Sequence, residues 1–242
     1  NVEIKDPVSV ISTNWDILLD KFLYKEISSH NSQQTSIDGD KKNLRRKCVV
    51  DYCCYVSSYD KDDHWTKPGL EAIGAGGFNV KLLKLHGSLN WLQCPRCARV
   101  YVSFDEKITL LHFEQNLPCR HCDSNYGVRH EEGLTSNLIM PTFLKSFLKT
   151  QYKLIWDNAG VELAEAAKIV FIGYSLPEAD FEMRQLLSRM VRNDAKIEVV
   201  TVQGAHLEGL EKRYKNFFGS RNISLLTDGA SDYITALNMT QN

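Results

Sequence analysis

Lys168-Ile169-Val170-Phe171-Ile172-Gly173-Tyr174-Ser175-Leu176-Pro177 begins the most regular part of the chain, and the fold class follows from it. An apolar run leads into a Gly-x-Ser turn, a helix follows over Glu178–Arg192, and a second strand is expected over Lys196–Val202. A helix is expected over His206–Phe217, a strand over Ile223–Leu226 and a helical tail from Asp232. The strands are short continuous apolar runs without strict alternation, as in a parallel sheet covered on both faces. Strand and helix alternate to the end. The expectation is an α/β fold, a Rossmann-like parallel sheet with helices on both faces.

Working outward, Val8–Thr13 reads as a buried strand and Trp15–Ser28 as a helix, with Ile17, Leu18, Phe22 and Leu23 at helical spacing. From Asn31 to Gly77 the pattern dissolves into polar residues, a long insertion or flexible loop with room for a strand over Cys48–Tyr55. A strand over residues 80–85 ends on His86-Gly87-Ser88, Leu138–Met140 reads as a short strand, and 146–166 as a helix. Gly74-Ala75-Gly76-Gly77 follows no clear strand and does not fit Gly-x-Gly-x-x-Gly, so it reads as a linker.

The 242 residues are 43% hydrophobic and 24% charged, with a formal net charge of −1, which suits a packed core. That balance gives no support to a nucleic-acid or acidic-membrane partner. The basic run Lys41–Lys47 is followed by Asp60, Asp62 and Asp63 and reads as a solvated loop. No stretch is apolar enough for a membrane helix, and the first residues carry no secretory signal. Seven cysteines then fit a reducing, cytoplasmic setting, where close pairs favour metal over disulfide.

Cys94-Pro95-Arg96-Cys97 and Cys119-Arg120-His121-Cys122 are two Cys-x-x-Cys turns separated by 21 residues. Each supplies two corners of a tetrahedron, and four thiolates leave no open position for water, so a structural zinc ion is expected. The alternatives are two disulfides or free thiols. Residues 91–127 read as an inserted zinc ribbon, with a hairpin of Arg99–Phe104 and Lys107–Phe113 turning at Asp105-Glu106. Cys48, Cys53 and Cys54 read as buried apolar thiols, and His112 and His121 as surface residues.

Three segments follow predicted strands, where open α/β sheets place their ligands. In Ser12-Thr13-Asn14-Trp15-Asp16, Asn14 offers amide donors and an acceptor, but helix capping explains Asn and Asp there more simply. In Leu85-His86-Gly87-Ser88, His86 is placed for general-base work and Gly87 for backbone approach of a ligand, although a lone His is more often structural. In Gly173-Tyr174-Ser175, Gly and Ser could hold a phosphate or ribose hydroxyl at a helix start, and a plain turn is the alternative.

Taken in order, Thr13-Asn14-Trp15-Asp16, Leu85-His86-Gly87-Ser88, the two cysteine pairs and Gly173-Tyr174-Ser175 resemble the sirtuin-like NAD-dependent family. The wording around Thr13–Leu19 and Phe171–Asp180 is most similar to the bacterial sirtuin-like branch associated with NAD hydrolysis in anti-phage defence. The resemblance implies a sirtuin-like NAD-binding domain over 1–90 and 128–242, interrupted by the zinc module. It implies NAD as the ligand, with Thr13, Asn14 and Asp16 on the nicotinamide-ribose side and His86 as general base. Gly173, Ser175 and Gln203 would then take the adenosine side. Gln203 stands where the family often has Asn. The family's opening Gly-Ala-Gly-x-Ser loop, the pyrophosphate cradle, is not in these residues. Either this is a fragment of a longer protein or its ordered part begins late.

The leading expectation is NAD hydrolysis that releases nicotinamide. The first alternative is an NAD-dependent deacylase taking an acyl-lysine peptide, although Leu138-Ile139-Met140-Pro141 stands where its peptide-binding loop would be. The second is a non-catalytic nucleotide-sensing or interaction domain. A homo-oligomer, or further domains outside these residues, is compatible with each.

Overall fold

The computed structural model describes residues 8–38, 48–59, 65–66, 78–103, 108–126, 133–139, 150–204, 206–219 and 221–239. The Gly74–Gly77 linker, the Lys41–Lys47 run, Asp105-Glu106 and Met140-Pro141 lie outside them. Described residues up to 139, together with 150–158, form one compact unit, and those from 159 onward form a second.

The first unit carries β1 (Ser9–Ser12), α1 (Leu18–Asp38), β2 (Cys48–Asp51), β3 (Val56–Ser58), β4 (Trp65–Thr66), β5 (Phe78–Lys84), β6 (Gly87–Gln93) and β7 (Val100–Val102). Next come α2 (Ile108–Glu114), α3 (Arg120–Tyr126), β8 (Thr135–Leu138) and the first turns of α4 (Thr150–Glu165). Two sheets form. One is parallel, in the order β1-β5-β2, with Ser12 beside Lys84. The other is mixed, in the order β4-β3-β7-β6-β8. The chain leaves the first sheet and enters the second across Leu85-His86. Leu82, Leu83, Leu85, Trp91 and Leu92 are fully buried there, and Tyr52 meets the Trp91 ring edge-on at 5.0 Å.

The stretch read as an insertion contributes β2 and β3 to these sheets, and the first helix runs ten residues past its expected end at Ser28. Asn31 explains part of that extension. Its amide group both donates to the Cys48 carbonyl at 2.8 Å and accepts from the Cys48 N–H at 2.9 Å, which ties the helix to β2. A part-buried polar contact of this kind leaves no hydrophobic period to read.

The second unit carries the rest of α4, then β9 (Lys168–Ile172), α5 (Phe181–Met190), β10 (Lys196–Val200), α6 (Leu207–Phe218), β11 (Ile223–Leu226) and α7 (Gly229–Met239). Its three strands form a parallel sheet, order β11-β10-β9, as the strand–helix alternation predicted. The central strand is buried from Ile197 to Val200. Helix α6 buries Leu210, Tyr214 and Phe218, spaced four apart on one face. Phe171 of β9 packs against the rings of Tyr214 and Phe218 at 5.2 and 5.8 Å.

Candidate functional site

The four predicted cysteine ligands come together in the first unit. The first knuckle is the turn of the β6–β7 hairpin, where the Cys94 N–H donates to the Arg99 carbonyl and Ala98 N–H to the Cys94 carbonyl, both at 3.0 Å. The second knuckle opens α3. Sulfur atoms of Cys94 and Cys122 lie 3.8 Å apart, those of Cys97 and Cys119 3.7 Å, and all four within 4.8 Å of one another. A tetrahedron of thiolates about 2.3 Å from zinc has edges of about 3.8 Å, so the spacing suits the ion and is far too long for disulfides. None of the seven cysteines is in a disulfide. The Tyr101 hydroxyl lies 3.4 Å from the Cys119 sulfur and accepts the His121 N–H at 3.2 Å, which fixes the second knuckle against β7. His121 turns its ring toward Asn125 and is no ligand.

The ribbon differs from its expected form in one respect. Val100–Val102 is a strand, but its antiparallel partner is β6, and Ile108–Glu114 is helical. The expected hairpin of 99–104 on 107–113 does not form. Ile108 and Thr109 are wholly buried, and the Thr109 hydroxyl donates to the Trp91 carbonyl at 2.9 Å. Short apolar runs suit either state, and this one is settled by packing against β6. Knuckle residues also reach β3, with Arg99 donating to the Ser57 hydroxyl at 3.1 Å and Arg120 to the Ser58 carbonyl at 2.7 Å. Cys48 and Cys54 are buried, and burial pushes both thiols above their ordinary value, so neither is a poised nucleophile.

Two of the three strand-end segments lie side by side in the first unit. The Leu85 N–H donates to the Ser12 carbonyl at 3.0 Å, the Leu89 N–H to the Trp15 carbonyl at 2.8 Å, and the Ser88 hydroxyl to the same Trp15 carbonyl at 3.4 Å. Thr13-Asn14-Trp15 and His86-Gly87-Ser88 are therefore laced together. Thr13 is half-buried, Asn14 is exposed and His86 is only 2% exposed. The His86 ring centroid lies 6.3 Å from that of Trp156, whose indole N–H donates to the Leu85 carbonyl at 3.0 Å. Asp16 takes the capping role that local reasoning favoured, its Oδ1 accepting the Leu18 N–H at 3.1 Å as α1 begins.

Gly87 has a different use from the ligand approach expected of it. Its φ is +79°, and a Cβ there would lie 2.1 Å from the Asn137 carbonyl oxygen and 2.4 Å from the Tyr152 hydroxyl. The glycine lets protein, rather than ligand, approach its backbone.

Lys84, Asp20 and Tyr52 escaped the sequence reading. The Lys84 ammonium, 1% exposed, donates to Asp20 Oδ2 at 3.0 Å and to the Asp16 carbonyl at 2.6 Å. The Tyr52 hydroxyl donates to Asp20 Oδ1 at 2.6 Å. Lys84 stands among buried leucines in Leu82-Leu83-Lys84-Leu85, and a charge inside an apolar strand was the available signal.

The third segment lies in the second unit, at the C-terminal edge of β9-β10-β11. Gly173 has φ +66°, and a Cβ there would meet nothing within 4 Å, so this backbone is open to an incoming group. Ser175 and Gln203 are exposed, and the Gln203 amide donates to the Thr227 hydroxyl at 3.0 Å. The turn is braced from behind. Tyr214 donates to the Tyr174 carbonyl at 2.7 Å, Arg213 to the Ser175 carbonyl at 3.0 Å and Arg184 to the Leu176 carbonyl at 3.2 Å.

No family model matches the chain, and no curated protein does. Among solved structures it is similar to a Sir2 mutant with p53 peptide and NAD, at 15% identity and a TM-score of 0.38, over 70% of this chain and 59% of that one. A structure described for the mechanism and regulation of Sir2 enzymes is 18% identical, TM-score 0.31, over 54% of this chain and 46% of that one. A sirtuin structure described for substrate affinity is 13% identical, TM-score 0.38, over 94% and 83%. The chain thus spans less than two thirds of the first two. At these identities and TM-scores the likeness assigns neither a family nor a chemistry to this chain.

Proposed function

We propose that this chain is part of a sirtuin-like enzyme that takes NAD as substrate and hydrolyses its nicotinamide–ribose bond, with zinc serving structure alone. The observation that carries the reading is the lacing of Ser12–Trp15 to Leu85–Leu89, which sets the Asn14 and His86 segments side by side after two parallel strands. The order of motifs along the chain supports it. The open backbone at Gly173, with exposed Ser175 and Gln203, suits the adenosine end of such a substrate.

In this reading the bond between the ribose anomeric carbon and the nicotinamide nitrogen breaks, and its electron pair leaves with nicotinamide. Water supplies the new oxygen–carbon bond, and its proton passes to the His86 imidazole. The products are ADP-ribose and nicotinamide. The Asn14 amide and the Asp16 oxygen left outside the cap stabilise the positive charge that develops on the ribose. A role in anti-phage defence is the finer part of the proposal and rests on the wording of the motifs.

The test is to incubate the full-length protein with NAD, with and without an acyl-lysine peptide, and to measure nicotinamide, ADP-ribose and deacylated peptide. Nicotinamide and ADP-ribose without peptide are expected. Release only with peptide would make the protein a deacylase, and NAD binding without turnover would make it a sensor. His86→Ala should lower the hydrolytic rate by about 100- to 10,000-fold with the fold retained. Asn14→Ala should lower it without moving the pH profile, since an amide does not titrate in this range.

A further inference from the structure

We infer that Lys84, neutralised by Asp20, is a positioning residue for this chemistry, holding the turn that carries Asn14 against the strand end that carries His86. The inference rests on the reading under Proposed function and adds to it residues that no motif contains.

A lysine that is 1% exposed among leucines calls for a reason, because burying an ion pair seldom stabilises a fold more than apolar residues of the same shape would. Its hydrogen bonds supply one. Asp20 Oδ2 neutralises the ammonium, and Tyr52 donates to the other carboxylate oxygen, so the charges are matched inside the core. The ammonium also donates to the main chain, at the Asp16 carbonyl 2.6 Å away. The adjacent Trp15 carbonyl is held by Leu89 and Ser88, beyond His86. Consecutive carbonyls at 15 and 16 are thus gripped by residues on either side of His86, and Asn14 precedes them directly. A charged donor gripping a carbonyl inside the core resists displacement more than a neutral one. Small errors in such placement cost rate steeply.

The test separates holding the turn from filling the core. The full-length protein would carry Asp20→Leu, Tyr52→Phe and Lys84→Met together, which keeps apolar bulk and leaves no lone buried charge. Thermal unfolding, hydrogen exchange at the Leu18 and Leu89 amides, and nicotinamide release from NAD would be measured. The expectation is a midpoint near that of the unchanged protein, at least about tenfold faster exchange at both amides, and kcat lower by about 10- to 100-fold. Unchanged exchange and kcat in the stable triple variant would overturn the inference. Where the triple variant is unstable, Lys84→Met and Asp20→Asn are compared below both unfolding midpoints. Asp20→Asn keeps the lysine on the Asp16 carbonyl, so Lys84→Met should lose at least about tenfold more kcat, and equal losses would sink the idea. If the unchanged protein releases no nicotinamide, the enzymatic reading fails, and exchange alone decides whether the turn is held.

Discussion

Gly87 and Gly173 both sit at positive φ after a parallel strand, yet the space around them differs, and substitution should separate their roles. At Gly87 an added methyl group meets the Asn137 carbonyl oxygen at 2.1 Å, which is backbone and cannot swing away. Gly87→Ala combines conformational strain of about 1–2 kcal/mol with overpacking of about 1–3 kcal/mol. A sharply lower unfolding midpoint is therefore expected. At Gly173 only the strain of about 1–2 kcal/mol applies, since the methyl group meets nothing within 4 Å. On the proposed reading Gly173→Ala should fold but raise the KM for NAD. Equal destabilisation of the two variants in a melting experiment would contradict this division of roles.

A zinc ion held by the four cysteines would act on several elements at once. The thiols of Cys94, Cys119 and Cys122 belong to a core cluster with Leu92, Tyr101, Ile108, Leu117 and Leu134, so the ion would tie the β6–β7 hairpin to α3 through apolar packing. Metal analysis should find about one zinc per chain. Cys94→Ser or Cys119→Ser should lose it together with stability, since binding energy at such a site is folding energy. Full stability after chelation would remove the structural role.

In the second unit Glu198 links three elements, accepting from Lys168 of β9 at 2.9 Å, Lys196 of β10 at 2.7 Å and the Tyr233 hydroxyl of α7 at 2.6 Å. Burial would raise its carboxyl, but these three donors outweigh that and hold it at about 2, against an ordinary 4.5. A carboxyl held low contributes stability that is fully present above pH 4.5 and is lost as the pH falls toward 2. Added salt should shrink the effect, because the two lysines are 40% and 49% exposed. Glu198→Gln should flatten the acid side of the stability curve, and an unchanged curve would assign that loss to other carboxyls.

At the scale of the whole molecule, the two units have separate parallel sheets and separate stabilising devices. The four-cysteine cluster belongs to the first, and the Glu198 network to the second. Scanning calorimetry should show two transitions. Chelation should lower one, and acid between pH 4.5 and 2 should lower the other through Glu198. A single transition that answers to both treatments would mean that the units unfold as one. Asn14 and His86 belong to the first unit, and Gly173, Ser175 and Gln203 to the second. Among the described residues, no helix is long and apolar enough to cross a membrane.

Features that depend on near neighbours along the chain can be read from the residues alone. The second unit was legible because Ile169–Ile172 is apolar for its whole length, Ile197–Val200 is apolar but for Glu198, and such runs alternate with helices of clear period. The zinc ligands were legible because two Cys-x-x-Cys turns fix their geometry within four residues each. Asp16 as a helix cap was equally local. The partners of the short strands, by contrast, are set by long-range packing. Val100–Val102 pairs with Gly87–Gln93, and β3, from the stretch that read as a loop, pairs with Val100–Val102. Pairing depends on which edge is free in space, and three residues of alternation do not encode it. The same holds for Lys84, Asp20 and Tyr52, which burial turns into one network although Tyr52 lies 32 positions from Asp20 and Lys84 lies 64. Gly87 is the sharpest case. Its place after a strand suggested room for a ligand, and the fold fills that room with the Asn137 carbonyl, because chain segments distant in sequence compete for the same space.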